Sequence, residues 1–467
     1  MIDLKTIKDR ILTFAYQGKL AEPNKLPNDN IESIHESIKG YIPVSEEEYL
    51  IDIPNEWKWT RLGYVTSNHG QITPSDTFSY IDVGTLDNVN HLLSSRENIV
   101  DAKDAPSRAK KIVETGDVIY STVRPYLHNI CIIDKDFSFT PIASTAFCVM
   151  HANEEVLDNK YLFYWLLTKE FDKYSNGDPS KGALYPAIGE KDLLRGVIPL
   201  PAVSEQKAIV EKIEAVFEIL DKINALQNQY ASNQEALRSK LIDAAIQGKL
   251  TEQQPDDGAA KDLIQLINKE REIQEANGKI KHVESQSSID DDEIPFEIPT
   301  NWEWVRFGDV SYIVRGGSPR PIKQYITSDK NGINWIKIGD VEKGGKYIFE
   351  TKEKIIPEGE KKSRRVYPGD FLLTNSMSFG RPYISKIEGC IHDGWLLIHD
   401  LKGFDQDYLY YLLSSRFLYN QFTQKASGST VDNLNIDKVS SAIIPLPPLA
   451  EQKRIAKKIE ELLQYCK

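Results

Sequence analysis

One segment of nearly 250 residues occurs twice in this chain, and the repeat limits the possible folds more than any other feature. IPNEWKWTRLGYV at 53–65 returns as IPTNWEWVRFGDV at 298–310, an offset of 245. VIPLPAVSEQKAIVEKIE at 197–214 returns as IIPLPPLAEQKRIAKKIE at 443–460, an offset of 246. Such a period is far longer than any solenoid repeat, so it marks duplication of a whole domain with its connecting helix. Trp57/Trp302, Trp59/Trp304, Arg61/Arg306 and Gly63/Gly308 all match, and each unit opens and closes in the same way. Between these brackets YIDVGTLDN at 80–88 answers WIKIGDVEK at 335–343, and VETGDVIYSTVRPY at 113–126 answers VYPGDFLLTNSMSFGRPY at 366–383. Strand signals persist while loop residues differ, which implies two domains that share a fold and contact different things.

A third match is out of order. FAYQGKLAE at 14–22 resembles AAIQGKLTE at 244–252, an offset of 230, so the N-terminal segment copies the end of the central helix. Residues 450–467 copy its start, 204–221. In the central segment, 204–250, Ser204 is a plausible N-cap, and steps of four and three run through Ile209, Ile213, Val216, Leu220, Ile223, Gln227, Tyr230, Gln234, Leu237, Leu241 and Ala244 to a stop at Gly248. Ile7, Ile11 and Phe14 map onto Leu237, Leu241 and Ala244; Ile455, Ile459 and Leu462 map onto Ile209, Ile213 and Val216. The expectation is that 3–20 and 450–466 pack end to end against the central helix as a pseudo-symmetric antiparallel pair. The other reading of the stripe is a zipper between two chains, against which the split second helix argues.

The resulting plan is a helix piece at 1–20, a linker at 21–52, a domain at 53–203, the central helix at 204–250, a linker at 251–297, a second domain at 298–449 and a helix piece at 450–467. The second linker holds a polar helical stretch, AAKDLIQLINKEREIQEANGK, and an acidic run from Ser288 to Glu293 that reads as a solvated tether. Each domain mixes short β-rich runs (GDVIYS, AFCVM, NWIKIG, FLLTN) with one aromatic-rich helix (DNKYLFYWLLTKEF; DQDYLYYLLSSRF). The expected fold class is α+β: two similar mixed α/β domains joined by long antiparallel coiled-coil-like helices in a pseudo-twofold repeat.

The 467 residues are 40% hydrophobic and 27% charged, a composition that folds. Lys and Arg number 57 against 69 Asp and Glu, a net −12, so any hold on a polyanion must come from local basic patches. Cys131, Cys148, Cys390 and Cys466 lie far apart with no C-x-x-C pair, which argues against a zinc ribbon or a disulfide framework and fits a reducing cytoplasm. MIDLKTIKDRILTF has no unbroken apolar run, and no stretch of about 18 apolar residues occurs, so neither export by that route nor a membrane span is expected.

Catalytic signatures are missing. GDVEKGGKY at 339–347 lacks P-loop spacing, and H-E-x-x-H, G-x-S-x-G, G-x-G-x-x-G, N-P-P-Y and D-P-P-Y do not occur. No catalytic residue and no metal ligand is assigned. What the copies do share is a basic cluster before the V-x-x-G-D strand start: Lys103, Arg108, Lys110 and Lys111 in one, Lys361, Lys362, Arg364 and Arg365 in the other. Such groups supply phosphate contacts, while base choice needs shape-matched side chains from nearby loops. The candidates are His69, Gln71, Thr73 and Ser75 against Arg315, Ser318, Arg320 and Lys323, and Arg124 and Tyr126 against Ser378, Arg381 and Tyr383. Any one of them alone is as readily an ordinary solvated loop residue. Trp57, Trp59, Trp302 and Trp304 read as core, because a sequence-reading surface diverges between copies and these do not; Tyr161, Leu162 and Tyr164 with Tyr408, Leu409 and Tyr411 read the same way.

I-P-L-P-x-x-x-E-Q-K-x-I-x-x-K-I-E twice, the P-x-x-W-x-W-x-R-x-G openings and the A-x-Q-G-K-L helix ends together resemble the specificity subunit of type I restriction-modification systems, over nearly the whole chain. The resemblance implies two target recognition domains, each reading one half of a split double-stranded DNA site, held apart by two helices. It implies a non-catalytic subunit without a cofactor of its own, partnered by two adenine methyltransferase subunits that use S-adenosylmethionine and by restriction subunits that use ATP and Mg. The helix piece at the N-terminus departs from the commonest arrangement, as though circularly permuted. Two other function classes stay open at this point: a coiled-coil scaffold that assembles proteins without reading DNA, and an enzyme acting alone.

Overall fold

The computed structural model describes residues 2–20, 29–177, 187–342, 344–375, 379–426 and 434–466. Two compact units divide it, Met1–Asn228 and Gln229–Lys467. The first holds two four-stranded sheets. Ile99–Val100, Phe78–Ile81, Pro141–Ser144 and Ala109–Ile112 form one in that order, with Phe78–Ile81 and Pro141–Ser144 parallel. Thr66–Ser67, Phe147–Ala152, Val118–Ser121 and Ile130–Ile132 form the other, all antiparallel. The second unit repeats the plan with five strands per sheet. One runs Ser311–Arg315, Trp395–Asp400, Phe371–Thr374, Pro382–Ser385 and Tyr347–Ile348; the other runs Ile326–Thr327, Glu353–Ile355, Ile333–Ile336, Gly389–Ile391 and Arg364–Val366. The chain is α+β, as its alternating strand and helix signals require.

Each unit is closed by its two sequence brackets. The W-x-W-x-R opening forms a strand, Lys58–Arg61, that pairs antiparallel with Val197–Leu200, Trp59 opposite Pro199. Glu303–Arg306 pairs with Ile443–Leu446 in the same way, Trp304 opposite Pro445. A two-stranded ribbon tolerates the prolines because each has an outer edge that needs no donor. The proline carbonyls are used instead: Tyr161 Oη donates to Pro199 O at 2.9 Å and Tyr408 Oη to Pro445 O at 3.1 Å. All four repeated tryptophans pack inward, Trp57, Trp59 and Trp302 buried and Trp304 half-buried against Phe296 and Phe417.

The E-Q pair that opens the closing helix is the joint between these parts. Gln206 is fully buried; its Nε2 donates to Val156 O at 2.7 Å and Pro201 O at 2.9 Å, and its Oε1 accepts from Asp158 N at 2.8 Å. Gln452 repeats all three bonds with Gly403 O, Pro447 O and Asp405 N, at 2.9, 3.0 and 2.8 Å. Asp158 and Asp405 in turn cap the aromatic helices, accepting from Tyr161 N at 2.9 Å and Tyr408 N at 3.1 Å. Each aromatic stretch is two helices, not the single one expected: Asn159–Leu166 and Lys169–Asn176, Gln406–Ser414 and Arg416–Ala426. The break falls at Thr168 and Ser415, whose hydroxyls cap the second helix by accepting from Phe171 N and Leu418 N, each at 3.2 Å.

A single 44-residue helix, Val203–Ile246, runs across the boundary of the two units. Its first half packs in the first unit through Ile209, Val210 and Ile213, beside the N-terminal helix Leu4–Tyr16, with Lys8 Nζ on Asp221 at 2.7 Å. Its second half packs in the second unit through Ile242, Ala245 and Ile246, in the same core as Ile455, Ala456 and Ile459 of the helix Leu449–Leu463. The buried face of the N-terminal helix, Leu12, Ala15 and Tyr16, stands 230 positions before Ile242, Ala245 and Ile246. The expected seam is therefore one position out of phase at these ends: Phe14 is exposed, as are Tyr230 and Leu237 in mid-helix. Both helix ends turn at a left-handed glycine, Gly18 (φ +68°) and Gly248 (φ +73°), packed so tightly on Pro54 and Pro299 that no Cβ fits.

The linkers are built into the units. Glu48 and Glu293 end short 3₁₀ turns and pair with the repeated arginines, Arg61 Nη1 to Glu48 at 2.9 Å and Arg306 Nη2 to Glu293 at 2.6 Å. The Arg61 guanidinium, with help from Ser45, holds the Glu48 carboxyl down at about 2. Asp291 and Asp292 remain in solvent, but the acidic run is anchored, not a free tether. The polar stretch before it is the helix Ala260–Ala276, seated through buried Leu263 and Ile267 and through Arg271, which donates to Gly308 O at 2.8 Å and Asp309 O at 2.9 Å.

Gln452→Ala leaves one buried amide N–H and two buried carbonyls unpaired, a loss of about 2–4 kcal/mol. Urea unfolding of this variant is expected to shift its midpoint down, while Lys453→Ala, exposed on the same helix, stays within about 0.5 kcal/mol of the parent.

Candidate nucleic-acid interface

In both units three chain segments far apart in sequence meet at one edge of the paired sheets. In the first unit they are the loop 68–75, the basic strand Ala109–Ile112 with Arg108 before it, and the bend 144–146. Ile72 N donates to Lys110 O at 2.8 Å, Ile112 N to Gly70 O at 3.3 Å, and Thr145 N to Arg108 O at 2.8 Å. In the second unit they are the loop 315–323, the basic turn and strand 361–366, and the bend 391–394. Gly317 N donates to Ile391 O at 3.2 Å, Gly316 N to Trp395 O at 2.9 Å, and Ser363 Oγ to Ile391 O at 2.8 Å. Gly316 and Gly317 have no room for a Cβ, the first against His392 O and the second against Lys362 O, so the glycine pair permits this close approach.

On this shared frame the exposed side chains differ. The first unit presents Gln71, Thr73, Ser75, Lys103, Arg108 and Lys110 to solvent, with Ser75 Oγ on Asp76 at 2.9 Å. Nearby, Arg124 and His128 both adopt φ +51°, a left-handed backbone that non-glycine residues hold only at a cost of order 1–3 kcal/mol. Between them the 3₁₀ turn Pro125–Leu127 lifts Tyr126 outward, and His128 fastens it through Nε2 to Asp172 at 2.6 Å. The second unit presents Arg315, Arg320, Lys323, Lys361, Lys362 and Arg364. Its loop is organised by Asp393: Ser318 Oγ donates to it at 2.8 Å and Arg320 Nη2 at 3.2 Å, while Arg315 Nε and Asn375 Nδ2 donate to its carbonyl at 3.0 and 2.9 Å. Burial pushes the Asp393 carboxyl up, but the Ser318 and Arg320 bonds outweigh it and hold the group below its ordinary value. The result is a fixed acceptor with a cationic rim. Asp393 and Asn375 were not singled out from sequence; the Asp-Gly pair closing a strand turn was the available signal.

Four expected contacts are placed otherwise. Lys111 is buried and gives its ammonium to both oxygens of Glu190, at 2.9 and 2.8 Å, so it neutralises its own chain. Arg365 lies between Glu388 at 2.7 Å and Glu360 at 3.1 Å, and these bonds raise its pKa, so half of the Arg364–Arg365 pair is internally compensated. Tyr383 is buried, its ring edge-on to Trp395 and its hydroxyl on Glu342 O at 3.3 Å. The matched R-P-Y motifs are out of register: Ile119 pairs with Cys131 and Leu372 with Tyr383, so Tyr383 occupies the place of Cys131, not of Tyr126. His69 turns into its own unit, where Nε2 meets Asp117 at 3.2 Å. Arg381 is half-buried with its amide on Thr374 Oγ1 at 3.0 Å, and Ser378 lies outside the described residues.

A family model described as "Type I restriction modification DNA specificity domain" matches residues 61–230 and again 299–466. The type I restriction enzyme EcoAI specificity subunit of Escherichia coli is 22% identical across 99% of this chain and 89% of that protein. The EcoDI specificity subunit, also of Escherichia coli, is 28% identical across 57% of this chain, a match that spans 60% of that relative's length. A chain from a structure solved for complex assembly and conformational transition of the type I R-M system superposes with a TM-score of 0.66 at 25% identity, covering 89% of this chain and 92% of that one. No described helix is long and apolar enough to cross a membrane.

The inward and outward lysines are separable by stability. Lys111→Ala strands Glu190 and is expected to cost about 1–2 kcal/mol, the buried-pair penalty discounted for the part of Glu190 that reaches water. Lys110→Ala, its exposed neighbour, is expected to leave the thermal midpoint unchanged.

Proposed function

The chain belongs to the type I restriction-modification DNA specificity family, and from that premise we propose that it is the non-catalytic subunit that reads a bipartite double-stranded DNA site, one half by each unit. The observation that carries this reading is the convergence of the same three segments in both units, on one frame, with different exposed side chains. A shared backbone frame, with loops free to differ, is what two independent readers of different half-sites require. In the first unit Arg108 and Lys110 would contact phosphates while Gln71, Thr73, Ser75, Arg124 and Tyr126 face bases. In the second Lys361, Lys362 and Arg364 would take phosphates, and Arg315, Ser318, Arg320, Lys323 and Arg381 the bases. Asp393 deepens that role: its carboxylate holds Ser318 and Arg320 and its backbone carbonyl holds Arg315, which fixes their donors before DNA arrives and lowers the ordering cost of binding.

The partners in this reading are two adenine methyltransferase subunits and the restriction subunits, in the cytoplasm. S-adenosylmethionine, ATP and Mg belong to those partners; this chain supplies address, not chemistry.

Two measurements test it. Methylation-site sequencing in cells carrying the complete system, with residues 53–203 replaced by the corresponding domain of another specificity subunit, is expected to show one altered half-site and one unchanged. Alteration of both halves overturns the division of labour. Arg364→Ala in the assembled complex is expected to weaken DNA binding by a similar factor on cognate and unrelated duplexes and to lower the salt slope by about one. An unchanged affinity and slope would remove this basic turn from the interface.

A further inference from the structure

We propose that the first unit holds a divalent first-row transition-metal ion, of the zinc class, between His69, Asp117 and His151, a site that goes beyond the proposed function and does not depend on it. The three side chains come from three segments: His69 from the loop after the strand Thr66–Ser67, Asp117 from the turn before Val118–Ser121, and His151 from the strand Phe147–Ala152. Their ligand atoms all lie within 4.8 Å of one another. His151 Nδ1 is 2.9 Å from Asp117 Oδ1, and His69 Nε2 is 3.2 Å from both oxygens of that carboxylate, which is fully buried. Zinc ligands at about 2.0–2.2 Å in a tetrahedron stand roughly 3.4 Å apart, so each histidine already lies at close to the required spacing from the carboxylate, and the two imidazoles, within 4.8 Å, need only draw together. Two imidazoles with one carboxylate suit zinc, iron or nickel and not calcium or magnesium, which take oxygen sets.

The second observation is a conflict at His69. Its Nε2 faces Asp117 and its Nδ1 faces Glu114 Oε1 at 3.6 Å. A neutral imidazole carries one N–H, so either tautomer sets a nitrogen lone pair against a carboxylate, and only an imidazolium or a metal ion on Nε2 satisfies both. A metal ion on Nε2 removes the conflict: it takes that lone pair, offsets the Asp117 charge and leaves Nδ1–H to donate to Glu114. A ligating histidine that passes its other N–H to a carboxylate is the usual second layer of a metal site. His151 also lines a cavity of about 250 Å³ beside Gly116 and Lys207.

The second unit shows that the fold does not need this cluster. Strand register places His399 where His151 stands, and Asp370 caps its turn through Tyr367 N as Asp117 does through Glu114 N, each at 2.7 Å. In that unit Val314 takes the place of His69 and Tyr367 that of Glu114, and His399 Nε2 meets Gln274 at 3.1 Å. One ligand, His69, and its carboxylate partner, Glu114, occur in the first unit alone, the histidine in the segment that leads to Gln71, Thr73 and Ser75. The ion would fasten that loop to the buried sheet.

The test uses the full chain, stripped with chelator and dialysed against zinc sulfate, with bound metal counted and affinity measured by competition. One ion per chain is expected. His69→Val, which installs the residue the second unit already carries, is expected to weaken binding by at least about a hundredfold, and Glu114→Gln by about ten- to a hundredfold. His399→Gln and Cys466→Ser are expected to bind as the parent does. Cobalt in place of zinc is expected to give d–d bands of a nitrogen and oxygen site with no thiolate charge-transfer band. Should His69→Val fail to fold, imidazole nitrogen resonances of His69 and His151 in the parent still decide: both shift on zinc addition if the site is real. No uptake, uptake indifferent to His69, a thiolate band, or His69 held simply as an imidazolium between its carboxylates would each overturn the assignment.

Discussion

A buried carboxamide is the constraint on which each unit depends. Glutamine offers two donors and an acceptor from one uncharged group, and Gln206 and Gln452 use them to join the end of the I-P-L-P strand, the loop before the aromatic helix and the cap of that helix. A glutamate there would lose both donors and bury a charge, and an apolar residue would leave three backbone groups unpaired. The joint therefore fixes glutamine at the mouth of both closing helices. The Arg61–Glu48 and Arg306–Glu293 pairs close the opposite end of the ribbon in the same duplicated manner.

With the frame fixed this way, the surface is free to diverge. The converging loops take their backbone path from strand pairing and from small residues such as Gly316 and Gly317, so the side chains that point outward carry little structural duty. Where a charged side chain does carry such duty, it is lost to recognition: Lys111 and Arg365 are drawn onto Glu190, Glu360 and Glu388. The net charge of −12 therefore says little about either face, since what meets a polyanion is the outward remainder of each basic cluster.

Recognition candidates were legible in proportion to how local their signal is. Basic clusters before a strand start are visible as composition, and most of their members are exposed. The R-P-Y match is a short identity across a length difference, and hydrogen-bond register overrides it, so Tyr383 became core while Tyr126 stayed outside. Asp393, Asn375 and the His69–Asp117–His151 cluster are joined by hydrogen bonds between residues 18 to 75 positions apart and carry no spacing signature. Only sheet closure brings them together.

By itself, the sequence determined the duplication, the α+β class, the shared brackets, the inward tryptophans and the long helix, because each is written in repeated identities or in a period that local backbone geometry enforces. Tertiary structure alone decided which face of the terminal helices is buried, that Thr168 and Ser415 break the aromatic helices in two, that the linkers are anchored, and which members of each basic cluster face water. Those outcomes depend on competition for buried partners, where one carboxylate, one carbonyl or one Cβ-sized gap between distant segments outweighs local preference, and that competition exists only once the chain has closed on itself.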